Sequence, residues 1–407
     1  MNKLKITITA GLLAFTLFSC SSGLQAQVKD LPERRVFGDA KLKFDDVMEI
    51  INRSYVDTVN QDKLIEDAIR GMTRDLDPHS EYMTAKEYKE MNEPLAGEFE
   101  GIGVQFNVLK DSIVVIAPIS GGPSEKLGIQ AGDKIVKIEG KNVAGIAITD
   151  KDVIKQLRGP KGTKVNVSIF RRGVKDLIDY TIVRDKIPLF SVDASYMLTP
   201  DIGYIKVNKF AANTMKEFHD GFDKLKAKKV KHLVLDLRGN SGGYLNTAID
   251  LANEFLQKDQ LIVFTQGVSS PRKENRANGG GGLTKGKLVV LIDEGSASAS
   301  EIVSGAIQDW DRGLLIGRRS FGKGLVQNPF RLRDGSTLKL TTARYYTPSG
   351  RCIQRAYEEG FEEYFKERSN RYKKGEYFSK DSIQLPDSLK YKTLVRSAII
   401  SMYEKPL

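Results

Sequence analysis

Apolar residues recur every three or four positions in two groups near the start of the chain: Phe44, Val47, Ile50 and Ile51, then Leu64, Ala68 and Met72. That spacing puts each group on one helix face, so residues 41–93 predict a helical N-terminal region. The run Asp75-Leu76-Asp77-Pro78-His79-Ser80 breaks it as a loop, a second helical stretch is expected around 84–91, and Pro94 closes the region. From Gly97 the pattern changes to short runs with a period of two between glycines. Strands are expected at 101–106, 112–117, 134–138 and 164–170, with helices at 124–127 and about 150–158. This makes a compact β-rich unit of roughly ninety residues, an ordinary domain size.

Beyond Pro188 the apolar runs become continuous. Residues 203–207, 233–237, 288–292 and 314–316 read as buried strands, and 214–227, 244–255 and 300–309 as the helices between them. Such alternation argues for an α/β core with an at least partly parallel sheet. Residues 278–282 form a glycine loop, and 325–329 look extended. The charged stretch 358–380 predicts a surface helix with a solvated face. The chain is therefore divided into a leader (1–26, or 1–19), a helical region (27–95), the β-rich unit (96–186), the α/β core (187–356) and a charged extension (357–407).

Length and composition narrow the function. A chain of 407 residues, 40% hydrophobic, can bury more than one core. Lys plus Arg number 63 against 52 Asp plus Glu, a net charge of +11. That excess is dispersed rather than gathered into a stripe, which argues against nucleic acid as a partner. His79, His219 and His232 are too scattered for a zinc site, and Cys20 and Cys352 exclude a cysteine-rich metal site. Lys3 and Lys5 precede a mostly apolar run at 6–18, too short to span a bilayer and suited to an export signal. Leu17-Phe18-Ser19-Cys20 resembles a lipobox, which would make Cys20 a lipid anchor and the only tie to a membrane. Cleavage after Ala26 is the competing reading, and both place the mature chain in the cell envelope, on the periplasmic side.

Candidate chemistry gathers in two small-residue loops. Gly295-Ser296-Ala297-Ser298-Ala299-Ser300-Glu301 follows a buried strand and opens a helix, which offers a hydroxyl beside amides that favour an oxyanion. Ser300 as a plain helix cap explains part of the same run. A serine nucleophile needs a base, and Lys323, in Phe321-Gly322-Lys323-Gly324, serves only if desolvation lowers its pKa. His232, ahead of a strand, is a weaker candidate. Residues 317–323 also fit a phosphate-binding loop up to the lysine, but Gly324 replaces the required Ser or Thr and no helix is expected next. Asp236-Leu237-Arg238-Gly239-Asn240-Ser241-Gly242-Gly243 is a second tight turn with amides to offer.

Taken in order, these motifs resemble the C-terminal processing (tail-specific) peptidases over about 42–354. The resemblance is carried by Leu76-Asp77-Pro78-His79-Ser80-Glu81-Tyr82, Phe99-Glu100-Gly101-Ile102-Gly103, Leu235-Asp236-Leu237-Arg238-Gly239-Asn240, the Gly295–Glu301 loop, residues 321–327 and Tyr345-Tyr346-Thr347-Pro348-Ser349-Gly350. It implies a multidomain α/β protein: helical N-terminal region, inserted PDZ-like domain, and a ClpP/crotonase-like serine-protease core with a charged C-terminal extension. Ser298 would be the nucleophile, Lys323 the general base and Gln327 the residue that orients it. Ala299 and Gly242 would supply the oxyanion hole, Gly101, Ile102, Gly103 and Val104 the carboxylate-binding entry of the PDZ domain, and Arg184 the coupling between the two. The implied partners are proteins with accessible C-termini, an activating or adaptor protein and a second copy of the chain. No metal or cofactor is required. The chain departs from the resemblance at one place: the Gly-Ile-x-Pro-Asp turn usual after the Tyr345–Gly350 motif is replaced by the charged stretch, which predicts a truncated or divergent C-terminus. A non-catalytic PDZ adaptor is the alternative.

Overall fold

A computed structural model describes residues 38–109, 111–358 and 360–376. Residues 1–37, with Cys20 and the expected leader, and 377–407 lie outside the described residues. The chain divides after Ile65 into two compact units. The first holds α1 (Gly38–Ser54) and the opening turn of α2 (Gln61–Arg74). Leu42, Val47 and Ile50 are exposed on α1.

The second unit begins with the rest of α2, the short strand β1 (Glu81–Met83) and α3 (Ala85–Ala96). Thr84 starts α3 through a reciprocal cap: its hydroxyl accepts from the Glu87 amide, and the Glu87 carboxylate accepts from the Thr84 amide. Next come β2 (Glu98–Gly101), β3 (Val104–Leu109), β4 (Ser112–Pro118), α4 (Pro123–Lys126), β5 (Lys134–Ile138), β6 (Lys141–Asn142), α5 (Asp150–Leu157), β7 (Lys164–Phe170), β8 (Ile178–Val183) and β9 (Asp185–Pro188). One antiparallel sheet runs β3-β4-β5-β7-β8, with β6 on β5. Its inward positions Ile113, Val115, Ile135, Val165, Val167, Ile169 and Ile182 pack with Val153 and Leu157 of α5. Every second residue of these strands is apolar, so one face buries as a set. β2 and β9 pair as a two-stranded ribbon where the chain enters and leaves this unit.

The remaining strands are β10 (Val192–Met197), β11 (Ile202–Val207), β12 (His232–Asp236), β13 (Leu261–Gly267), β14 (Ser270–Arg276), β15 (Leu288–Ile292), β16 (Leu314–Gly317), β17 (Leu325–Arg331) and β18 (Thr337–Tyr346). The helices are α6 (Thr214–Ala227), α7 (Leu245–Asn253), α8 (Ala299–Asp309) and α9 (Phe361–Lys373). One sheet runs β10-β11-β12-β15-β16, parallel apart from β10, as the continuous apolar runs imply. Phe218, Phe222, Leu251, Ile302 and Val303 from the helices, and Phe255 just after α7, pack with it in one core. A second, antiparallel sheet runs β1-β18-β13-β14, with β17 on β18. It brings the 81–83 segment beside the end of the core, a pairing that no local pattern announces. The expected charged surface helix is α9, which keeps a solvated face and turns Tyr364 and Arg371 inward. No helix among the described residues is long and apolar enough to cross a membrane.

Candidate active site

The two glycine- and serine-rich loops follow neighbouring parallel strands, β12 and β15, and are knitted together by their small residues. Ala297 N and Ser300 Oγ both donate to Asn240 O, at 3.0 and 2.9 Å, and Ser296 Oγ donates to Leu237 O at 2.8 Å. Ser300 is thus spent on the partner loop. Between these anchors Ser298 takes φ +56° and ψ −111°, in the left-handed half of φ space that non-glycine residues rarely occupy. Such strain costs about 1–3 kcal/mol and persists only where neighbours over-determine it. Ser298 stands immediately before α8, with the first amides of that helix beside it.

Glu301, one turn into α8, is fully buried and binds both halves of the site. Its carboxylate accepts from the amides of Ser298 (2.8 Å), Gly322 (2.6 Å) and Lys323 (2.9 Å). Burial pushes its carboxyl up to about 7 against the pull of those amides. The same loop carries Lys323, whose ammonium is lowered to about 8, chiefly by desolvation and next by the like charge of Lys339. Tyr345 is buried and donates to Lys323 O.

Ser298, Lys323 and Gln327 line one cleft of about 460 Å³ with Met91, Leu95, Leu245, Ile302 and Val326 as apolar walls. Gln327 donates from its amide nitrogen to Thr341 Oγ1 at 3.3 Å. Gly242, at φ +102°, is required by closeness: a Cβ there would lie 2.8 Å from Ser298 Cβ and 3.1 Å from Ala299 N. Its own amide donates to Asn240 Oδ1 at 2.9 Å, so the free donor expected at Gly242 is not what the loop presents. His232 lies at the opposite end of β12, where Nδ1 accepts from Lys287 N, and His219 pairs with Glu254. The segment after Lys323 is strand β17, which removes the phosphate-loop reading.

Sequence reasoning assigned no role to His79. Asp77 folds its turn by accepting from the His79 and Ser80 amides, at 2.8 and 2.9 Å, and Ser80 Oγ accepts from Thr341 N of β18. Burial, then the nearby Lys323 charge, holds His79 down to about 3, so it is neutral at ordinary pH. The adjacent Pro and the polar turn residues are the signal that could have pointed there.

In the β-rich unit, Ile102 O accepts from Ser124 N and Ser124 Oγ, at 3.1 and 2.6 Å, and Gly103 O accepts from Ile119 N. These bonds engage the carbonyls of Ile102 and Gly103 within the domain. Val104 opens β3, which pairs with β4 alone among the described residues and leaves its other edge free. Arg184 donates to the Gln156, Leu157 and Lys164 carbonyls, so it closes the end of α5 rather than reaching the core. The junction contact belongs to Arg158, which binds Glu93 of α3 at 2.5 Å and lies over the Phe99 ring. Tyr88, Met91, Asn92 and Leu95 of the same helix border the Ser298 cleft.

Residues 201–362 match the model of Peptidase family S41, 101–182 that of the PDZ domain, and 19–87 that of the activating protease CtpB N-terminal domain. A carboxy-terminal-processing protease of Bartonella bacilliformis is 43% identical over 321 residues, 77% of this chain and 72% of that one. The chain belongs to peptidase family S41. It is a serine-type peptidase with a PDZ domain, and the non-catalytic adaptor alternative is set aside. Carboxy-terminal processing protease CtpA of Bacillus subtilis is 38% identical over 78% of this S41 peptidase and 68% of its own length. Among solved structures, the photosystem II D1 C-terminal processing protease is 30% identical, with a TM-score of 0.45 over 77% of this chain and 90% of that one.

Proposed function

We propose that this S41 peptidase is exported and processes proteins from their C-termini, with Ser298 as nucleophile and Lys323 as general base. The observation that carries the reading is the shared cleft in which Glu301 ties the Ser298 and Lys323 backbones together beside an ammonium lowered to about 8. Neutral Lys323 takes the Ser298 proton as Oγ attacks the peptide carbonyl. The developing oxyanion accepts from the Ala299 amide at the start of α8 and from the Gly243 amide, the Gly242 amide being engaged by Asn240. Lysinium then protonates the departing amine, and water, deprotonated by the same lysine, hydrolyses the acyl-enzyme. Gln327 orients Lys323 from across the cleft.

The PDZ domain selects the substrate. A free C-terminus adds as a strand to the open edge of β3, its carboxylate held by amides of Gly101, Ile102, Gly103 and Val104. Arg158, with Arg184 bracing α5 behind it, carries occupancy of that groove to α3 and the cleft. The exposed apolar residues of α1 support assembly with a second copy or an activating protein. Mass spectrometry of the mature N-terminus separates a lipidated Cys20 from cleavage after Ala26, and an unprocessed Met1 refutes export.

Ser298→Ala and Lys323→Ala are each expected to lower cleavage of an unstructured protein tail by about 1000-fold or more. Binding of a C-terminal peptide should stay within about twofold of wild type, because the PDZ groove is untouched. Wild-type turnover in either variant sinks the Ser298–Lys323 reading.

A further inference from the structure

Three segments remote in sequence meet behind the Lys323 loop: the 76–80 turn, residues 352–357 and α9. Gly322 O accepts from Arg355 N at 3.0 Å, and Gly324 N donates to Gln354 Oε1 at 2.9 Å, so both neighbours of Lys323 are tied to the 354–355 backbone or side chain. The approach is close enough to need glycine, since a Cβ on Gly324 would stand 2.5 Å from Gln354 N. Arg355 is 3% exposed, its guanidinium held between Phe321 and Tyr364, 4.3 and 3.8 Å from the ring centroids. It pairs with Glu367 and donates to Tyr364 O at 3.0 Å. Tyr364, itself 4% exposed, completes the closure: its hydroxyl lies 2.8 Å from His79 Nε2, and its ring meets the imidazole edge-on. Tyr364 and Glu367 lie beyond the residues matched by the S41 model, which end at 362.

We propose that α9 is a positioning element of the peptidase reaction, in which Tyr364, through Arg355 and His79, holds the Gly322–Gly324 loop and closes the back of the Lys323 pocket to water. The inference rests on the reading of Lys323 as the base. A lysine is neutral near pH 8 only while its surroundings stay dry, and water admitted from behind stabilises the ammonium. The charged groups around Lys323 are Glu301 on α8, Asp77 and Glu81 beside β1, and Lys339 on β18, while Arg355 and Glu367 face the back of its loop. Tyr364 touches none of the reacting atoms. Its removal therefore acts on the base and not on substrate binding.

The test uses the full chain and a quenched fluorescent peptide with an apolar free C-terminus, with kcat and KM measured from about pH 6 to about pH 10. Tyr364→Ala should lower kcat at pH 7 about tenfold, leave KM within about twofold, and raise the pH of half-maximal kcat by about one unit. Tyr364→Phe keeps the ring against Arg355 and should recover most of that loss. If Tyr364→Ala loses its cooperative melt, Glu367→Gln decides, with about a threefold loss and an upward shift of the same limb expected. A folded Tyr364→Ala with the wild-type profile, or a loss equal at every pH, overturns the role of α9, as does an unmoved Glu367→Gln when it decides. Lys323→Ala separates the two readings. Full activity there overturns Lys323 as the base, whereas a dead Lys323→Ala beside an unmoved Tyr364→Ala overturns only the inference about α9.

Discussion

Lys339→Gln removes a positive charge from the cleft while leaving the dry walls around Lys323 in place. Lys339 stands on β18 in register with Glu81 of β1 and lines the same cleft as Ser298 and Lys323. Lys323 is lowered to about 8, with burial the larger cause and Lys339 the next. Losing the smaller contribution should raise Lys323 by on the order of one unit. At pH 7 the neutral fraction then drops from about one in ten to about one in a hundred, and kcat falls about tenfold. The sign follows from the role proposed for Lys323: a base acts when deprotonated, so the loss is greatest at low pH and vanishes well above about pH 9. Lys339→Arg keeps the charge and should restore the profile. A pH series of kcat on a short peptide reads this directly. Equal loss at every pH means Lys339 contacts substrate instead, and an unmoved or downward-shifted limb refutes the electrostatic account.

Glu301→Gln sets an amide NH2 against at least one of three buried N–H donors, costing about 1–3 kcal/mol for each left unpaired. Thermal melting should show that destabilisation, and kcat should fall by at least about 100-fold as the Ser298 and Lys323 loops part; a variant that melts normally and cleaves normally refutes the clamp. Gly103→Ala forces φ +73° on an alanine and brings its Cβ to 2.9 Å from Ile187 Cδ1. Binding of a C-terminal peptide by calorimetry should weaken about tenfold or more while kcat on a short peptide holds, and unchanged affinity contradicts a carboxylate site at this loop.

Much of the framework was legible because burial on both faces leaves its mark locally. The parallel strands at 233–235 and 288–292 are unbroken Val, Ile and Leu, which suits a sheet covered by helices, whereas 203–207 is the more mixed Gly-Tyr-Ile-Lys-Val. The second sheet was not legible. β14 reads Ser-Pro-Arg-Lys-Glu-Asn-Arg, a polar edge that pairs through its backbone, and β1 is three residues that matter only because β18 receives them. The C-terminal helix was legible as a charged surface helix, but its inward contacts were not: Arg371 donates to Arg319 O, and Tyr364 turns inward.

The candidate site divides along the same line. Short motifs single out Ser298 and Lys323 as candidates because a strained turn and a lysine pressed between glycines each need small neighbours within one or two positions. What tunes them is contributed at long range. Glu301 binds the Lys323 loop from 22 residues away, and Tyr364 reaches His79 across 285 residues. No window of sequence contains such contacts, and only the packing of β1, β18 and α9 around the loop creates the dryness that a lysine base demands. Gly242 shows the limit from the other side. Its small size was legible as a need for close approach, but the direction of its amide, toward Asn240 Oδ1, depends on a side chain whose own rotamer is set by Val207 O on the neighbouring strand. The candidate reacting groups are therefore marked by local sequence in this peptidase, whereas the readiness proposed for them depends on the assembled core and on α9 packed behind the Lys323 loop.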